Sequence, residues 1–264
     1  MTLRHVNRYY SLRGHEVPFR VVAHLAAPVA FNDYLCLDSL LAYAVVREEL
    51  GASYWDQGPR DAEPECLMRP PLPLKKCQTR GPTGGEVHVW HASASMLPDG
   101  PNARDVLWLK KHWESKPSCE KFAAYSGKGK VDVKAGPFKS WNVPVPTVSV
   151  PRLSWHACGD PREALRLLEA FIVSVGKKRN GGLGLVREWS VQETEVDESL
   201  VNREGVVQRP IPIRFDRAAA WSMTEIRTYQ APYWLRDGAR LCIAVGARRV
   251  DGGPAIFGRQ EVIA

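Results

Sequence analysis

The chain reads as an α+β protein whose elements run β-α-β-β-α-β, and three observations predict this. Apolar periodicity alternates between period 2 and period 3.6 in that order between about residues 16 and 191. The second helical run opens into a basic glycine loop, Gly176-Lys177-Lys178-Arg179-Asn180-Gly181-Gly182-Leu183-Gly184, and a strand-like run follows it. The composition, 44% hydrophobic and 25% charged over 264 residues, is that of a globular protein with a sizeable core.

Each element has its own signal. Residues 16–30 (EVPFRVVAHLAAPVA) read as the first strand, ended by Pro28. The first helix spans about 35–51: Asp38 reads as its N-cap, Leu40, Leu41, Ala44 and Val45 as its apolar face, and Gly51 as its stop. Capping is the ordinary use of an aspartate there, so Asp38 is not read as a catalytic partner of His24. Residues 85–94 (GEVHVWHASA) alternate as a second strand, with His88 and Trp90 on one face and Val89 and His91 on the other. Residues 148–157 form a third strand. Asp160-Pro161-Arg162-Glu163 is a helix start, with Leu165, Leu168, Phe171, Ile172 and Val175 as the buried stripe of a helix continuing to Val175. Residues 185–191 are the fourth strand. This order is the split βαβ, ferredoxin-like (RRM-like) arrangement that RNA-recognition folds share.

The expected organisation is one such domain over residues 1–198, with insertions at about 52–84 and 95–147. Residues 199–264 form a C-terminal extension packed on it. The first insertion is rich in Pro, Gly and charge. The second carries Lys110, Lys111, Lys128, Lys130 and Lys139 among Trp108, Trp113, Phe122, Tyr125, Phe138 and Trp141. Lysines interleaved with aromatics suit single-stranded nucleic acid, where rings stack on bases and cations follow phosphates. They equally suit a solvated surface over a small satellite core.

A net charge of +7 and a pI near 9.1 favour an acidic partner. No apolar run approaches the ~20 residues of a membrane span, and the N-terminus lacks an apolar signal-peptide region, so a cytoplasmic location is expected. The six cysteines, Cys36, Cys66, Cys77, Cys119, Cys158 and Cys242, include no close-spaced pair. Cys77, His88 and His91 would make only a partial zinc set. No metal or cofactor is expected.

The glycine loop fits neither familiar phosphate motif. A P-loop requires Lys-Ser or Lys-Thr after its second glycine and then a helix; a dinucleotide fingerprint requires strand, loop, helix. Here helix, loop and strand follow in the reverse sense. Glycines that accept positive φ beside three cations suggest a site that reads a nucleic-acid backbone. The stretch by itself also fits a helix C-cap, Gly176, followed by an exposed basic turn.

Four stretches carry a family resemblance: the G-K-K-R-x-G-G-x-G loop, the helix Leu35-Cys36-Leu37-Asp38-Ser39-Leu40-Leu41-Ala42-Tyr43-Ala44, the tract GPFKSW at 136–141, and Arg209-Pro210-Ile211-Pro212. From about residue 17 to 213 the chain resembles the RAMP superfamily of CRISPR RNA-binding proteins. Within it, the chain is similar to the Cas group 5 subunit of type IV effector complexes. The resemblance implies a cap on the helical backbone of such a complex, holding the 5′ handle of the crRNA near the target DNA's flanking motif (PAM). The implied partners are crRNA, target DNA near the PAM, a backbone (Cas group 7-like) subunit and a large subunit. Gly176, Lys177, Lys178, Arg179, Asn180, Gly181, Gly182 and Gly184 are the implied RNA contacts; the lysine-rich insertion is a candidate for a thumb-like element but carries no motif that matches one.

Some members of the superfamily cut precursor RNA, which without metal requires a base for the 2′-hydroxyl and a stabiliser for the leaving oxygen. None of the seven histidines stands in a spacing that marks such a base, so a non-catalytic subunit is expected. The rival is a metal-independent CRISPR repeat endonuclease with His24 or His91 as base and Lys177 or Arg179 as stabiliser. A third reading is an unrelated ferredoxin-like enzyme acting on an anionic metabolite.

Overall fold

The computed structural model describes residues 16–31, 33–54, 70–80, 86–98, 102–111, 134, 139–216, 219–233 and 238–253. Its elements are β1 (Val17–Leu25), α1 (Leu37–Leu50), β2 (Lys76–Arg80), β3 (Glu86–Trp90), β4 (Ala103–Lys111), β5 (Trp141–Ser149), β6 (Arg152–Gly159), α2 (Pro161–Phe171), β7 (Val186–Glu193), β8 (Ile211–Pro212), β9 (Thr224–Thr228) and β10 (Ala239–Ile243). The mixture of helices and strands is α+β, as the periodicity predicts.

β1 lies between β6 and β7 and is antiparallel to both. Phe19, Val21 and Ala23 alternate inward from β1 and meet Leu153, Trp155 and Ala157 of β6 and Trp189 of β7. Leu41, Val45, Ala164, Leu167 and Leu168 of the two helices close the same core. The buried indoles are satisfied: Trp155 Nε1 donates to Leu35 O at 2.7 Å and Trp189 Nε1 to Ile172 O at 2.9 Å.

α2 starts as its sequence indicates, with Asp160 Oδ1 accepting from the N–H groups of Arg162 and Glu163 at 3.0 Å. It stops at Phe171 instead of reaching Val175. The residues beyond are partly β-branched and pair with the start of β7 through Ser174↔Leu185 and Val186 N–H to Val173 O at 3.0 Å. A second correction concerns α1. Its N-cap is Cys36, and Asp38, expected there, is instead fully buried against Arg209.

The expected second strand serves two partners. Residues 86–90 pair with β2, and the chain then crosses to the outer edge of β6 through the bridges Ala92↔Ala157 and Met96↔Ser154. The expected third strand is likewise divided, at Val150-Pro151, between β5 and β6. The second insertion contains the long antiparallel hairpin β4–β5, in register from Ala103↔Ser149 to Lys111↔Trp141.

β8, β10 and β9 make a smaller sheet over a second core, where Val207, Ile211, Tyr229, Cys242 and Ile243 pack with Cys77 and Val89 of β2 and β3. Arg209 ties this region to the main core. Its guanidinium, 0% exposed, donates to the carbonyls of Trp90 (2.6 Å), Ala92 (3.0 Å) and Tyr229 (2.6 Å), to Asp38 (3.1 Å) and to the Tyr233 hydroxyl (3.1 Å). Tyr233 in turn donates to Asp38 at 2.8 Å. Among the described residues no helix is long and apolar enough to cross a membrane.

Candidate nucleic-acid interface

The glycine loop is an excursion with a closed neck. Val175 N–H donates to Gly184 O at 2.8 Å across it. The neck is pinned to the segment after β1: Lys177 N–H donates to Ala30 O at 2.6 Å, Gly184 N–H to Pro28 O at 2.8 Å, and Ala26 N–H to Leu185 O at 2.8 Å. Leu183 anchors the far side by burying itself against Ala30 and Val145, with Leu109 beside them.

The glycines divide into two kinds. Gly176 (φ 81°) and Gly184 (φ 64°) sit at the neck, where a Cβ would collide with the carbonyl oxygens of Ala30 and Val175 respectively. Their need for glycine comes from packing against the chain itself. Gly182 (φ 83°) and Gly181 are at the tip, and a Cβ on either would meet nothing within 4 Å. These two leave the backbone open to an incoming group.

Between neck and tip, Arg179–Gly181 forms a single 3₁₀ turn entered through Lys178, a non-glycine residue at φ 56°. A lysine held there costs about 1 kcal/mol, so the surrounding frame must over-determine the turn. Lys177, Lys178, Arg179 and Asn180 are all exposed. The Arg179 guanidinium lies 5.5 Å over the ring of Tyr43, on α1. Tyr43 was invisible as a loop partner because helical spacing places it beside core residues.

The loop is continuous with the β4–β5 hairpin through the Leu183 anchor. Residues paired across the hairpin share a face, so Leu107/Val145, Leu109/Val143 and Lys111/Trp141 lie on the side that meets Leu183. Trp108/Pro144 and Lys110/Asn142 lie on the other. Trp108 is 54% and Trp141 40% exposed, high values for indoles. Lys110 and Lys139 are exposed and Lys111 is half-buried, while Lys128 and Lys130 lie outside the described residues.

The two histidines considered as bases are both engaged. His24 Nε2 is 3.3 Å from Ser190 Oγ on the neighbouring strand. His91 Nδ1 is 2.6 Å from Asp197 Oδ2, and Ser199 donates to the other oxygen of that carboxylate at 2.5 Å. Burial works against ionised Asp197, but the hydrogen bonds from His91 and Ser199 outweigh it and hold the carboxyl at about 2. Burial pushes His156 below 6.5, against the pull of Glu198 at 3.7 Å. It also pushes the Cys36 and Cys158 thiols up to about 12, so neither is a thiolate at neutral pH. Cys77 is buried in the second core, and among the described residues no three His, Cys, Asp or Glu side chains converge as metal ligands.

The geometry on hand is therefore a cationic tip on a rigid neck, beside a hairpin with exposed indoles. Compared with known proteins, residues 17–244 match the family model described as CRISPR type IV associated protein Csf3. No curated protein matches the chain.

Proposed function

The chain belongs to the Csf3 family of type IV CRISPR-associated proteins, and from that premise we propose that it is a non-catalytic, RNA-binding subunit of a type IV effector complex. In this reading it is a RAMP protein of the Cas group 5 kind, capping the backbone subunits at the crRNA 5′ handle near the PAM of target DNA, with the large subunit as a further partner. The observation that carries the reading is the glycine loop: exposed Lys177, Lys178 and Arg179 on a neck fastened at Pro28, Ala30 and Leu183. A phosphate chain needs cations that are held in place yet unburied, and a rigid neck supplies this with little ordering cost on binding.

Two further features support it. The order β6-β1-β7, with residues 92–96 along β6, fits the split βαβ topology of such proteins. The loop also passes through the Leu183 anchor into a hairpin bearing Lys110, Lys111, Trp108 and Trp141, a combination suited to single strands.

The test is binding of the purified full chain to labelled CRISPR-repeat RNA in chelator across a salt series, with every sample also run on a denaturing gel. The expected result is shifted, intact RNA. Replacing Lys177, Lys178 and Arg179 by Ala should weaken binding and flatten the salt slope by about 2, at roughly 0.7 per single-strand phosphate contact. An unchanged slope removes the loop from the interface. Shortened RNA, with cleavage lost in His24→Ala or His91→Ala, turns the reading to the repeat endonuclease.

A further inference from the structure

The small sheet β8-β10-β9 ends in two edges that the sequence treats differently. On one side β8 is two residues long and carries Pro212, which has no N–H to offer a further strand. On the other, β9 (Thr224-Glu225-Ile226-Arg227-Thr228) has neither proline nor glycine and runs without a bulge against β10, from Ala239↔Thr228 to Ile243↔Thr224. Among the described residues no strand pairs with the outer edge of β9. In an antiparallel strand every second residue turns its N–H and C=O away from its neighbour, so such an edge is a template for another strand.

The side chains of β9 suit one particular strand. Ile226 and Leu241, paired in register and so on one face, are 79% and 48% exposed, and Met223 at the entrance to β9 is 47% exposed. Opposite charges stand on either side of Ile226. Glu225 accepts from the Tyr34 hydroxyl at 3.1 Å. Arg227 donates to Asp33 at 2.6 Å and to Glu225 at 3.1 Å, and its guanidinium lies 4.6 Å over the Tyr34 ring. These contacts hold both charged side chains in place.

The run Thr-Glu-Ile-Arg-Thr is complementary to itself when reversed. In an antiparallel pair centred on Ile226, Ile226 faces the partner's Ile226 and Glu225 faces the partner's Arg227. Arg227 then faces the partner's Glu225, and Thr224 the partner's Thr228. Aliphatic, threonine and opposite-charge pairs are favourable cross-strand combinations. Moving the axis by one residue sets Glu225 against Glu225 or Arg227 against Arg227, so the charges also fix the register. With one charge of each sign, the strand gives a phosphate chain no net attraction.

We propose that two copies of this chain pair β9 to β9 across a two-fold axis at Ile226, joining their three-stranded sheets into a single sheet. The apolar row Leu241-Ile226-Ile226-Leu241 then runs unbroken across the seam. A two-fold contact of this kind closes on itself and stops at the dimer. It makes no use of the glycine loop and stands apart from the RNA reading.

The experiment is sedimentation velocity on the purified full chain, freed of nucleic acid, from about 1 to 100 µM. The expected result is a dimer that forms within that range, weak because a five-residue strand gives a contact at the small end of specific interfaces. Glu225→Arg and Arg227→Glu should each be monomeric, because each sets like charges face to face. Mixed in equal amounts they should dimerise again, since every charge then meets its opposite in trans. Ile226→Lys, which alters a side chain with few contacts in its own chain, should also be monomeric; thermal unfolding checks that each variant is folded. A wild-type chain that stays monomeric throughout overturns the inference. So does a wild-type dimer that survives Ile226→Lys, and so do folded charge variants that stay apart when mixed.

Discussion

Arg209 and Lys178 carry the same charge, yet the fold treats them in opposite ways. Arg209 is fully buried and donates to five different acceptors, spanning two carbonyls at the β3 end, one carboxylate on α1 and two groups near β9. Lys178 stands exposed on a left-handed turn, over a neck fastened by backbone hydrogen bonds. Burial would lower the arginine's affinity for its proton, but the Asp38 carboxylate outweighs that and keeps it charged. A cation enclosed by acceptors is spent on structure, and one raised on a stiff frame is left for a ligand. Basic residues therefore divide by whether the fold supplies their counter-charge.

The sharpest way to break that contrast is Arg209→Met. Removing one partner leaves Asp38 buried without its counter-charge, so unfolding in urea should show a loss of about 3–5 kcal/mol. Adding Asp38→Leu should recover part of it, because no orphaned charge then remains. A loss under 1 kcal/mol for the single variant would mean that the clamp does not hold the small sheet to the core.

Within the loop the same contrast separates two glycines. Gly184→Ala must strain φ and push aside the Val175 carbonyl, so it should cost about 3 kcal/mol; Gly182→Ala meets only the φ penalty, about 1 kcal/mol. Equal costs would show that the neck yields as easily as the tip.

Asp197 sharpens the middle ground, a carboxylate partly buried on His91 in the segment 194–199. Its folded pKa is depressed from 3.8 to about 2. The ionised form is thus favoured by folding: the stabilisation is fully present above about pH 4 and is lost as pH falls towards 2. Asp197→Asn should remove about 2 kcal/mol at neutral pH, and the gap from wild type should narrow on acidification through that window. A gap independent of pH would assign the effect to packing, not to charge.

Much of the loop was legible in the chain. Contiguous glycines and cations after a helical run announce themselves, and Asp160-Pro161 marks the start of α2 as found. What hid was longer in range. Asp38 has every local quality of a cap, and its real partner lies 171 residues away. β5 carries Pro144 and Pro146, and the two prolines fit because β4 is the one named strand beside it, its other edge being met only near its end, at the bridge Val29↔Val148, among the described residues. The four loop glycines look alike in sequence, whereas only the fold brings Ala30 O and Val175 O against two of them.

By itself the sequence determined the α+β class, the order of the helices, the cap of α2 and the basic character of the loop. These follow from short-range causes: side-chain periodicity, capping groups and the φ freedom of glycine. The tertiary structure decided which strand edges meet, where α2 gives way to an extended neck, and which cations are enclosed. Those outcomes depend on backbone groups finding partners far along the chain, because a buried N–H, C=O or charge is costly wherever its partner is missing. Periodicity says which side of a strand is apolar; only the register of β1 against β6 and β7 says what stands beside Arg20 and His24.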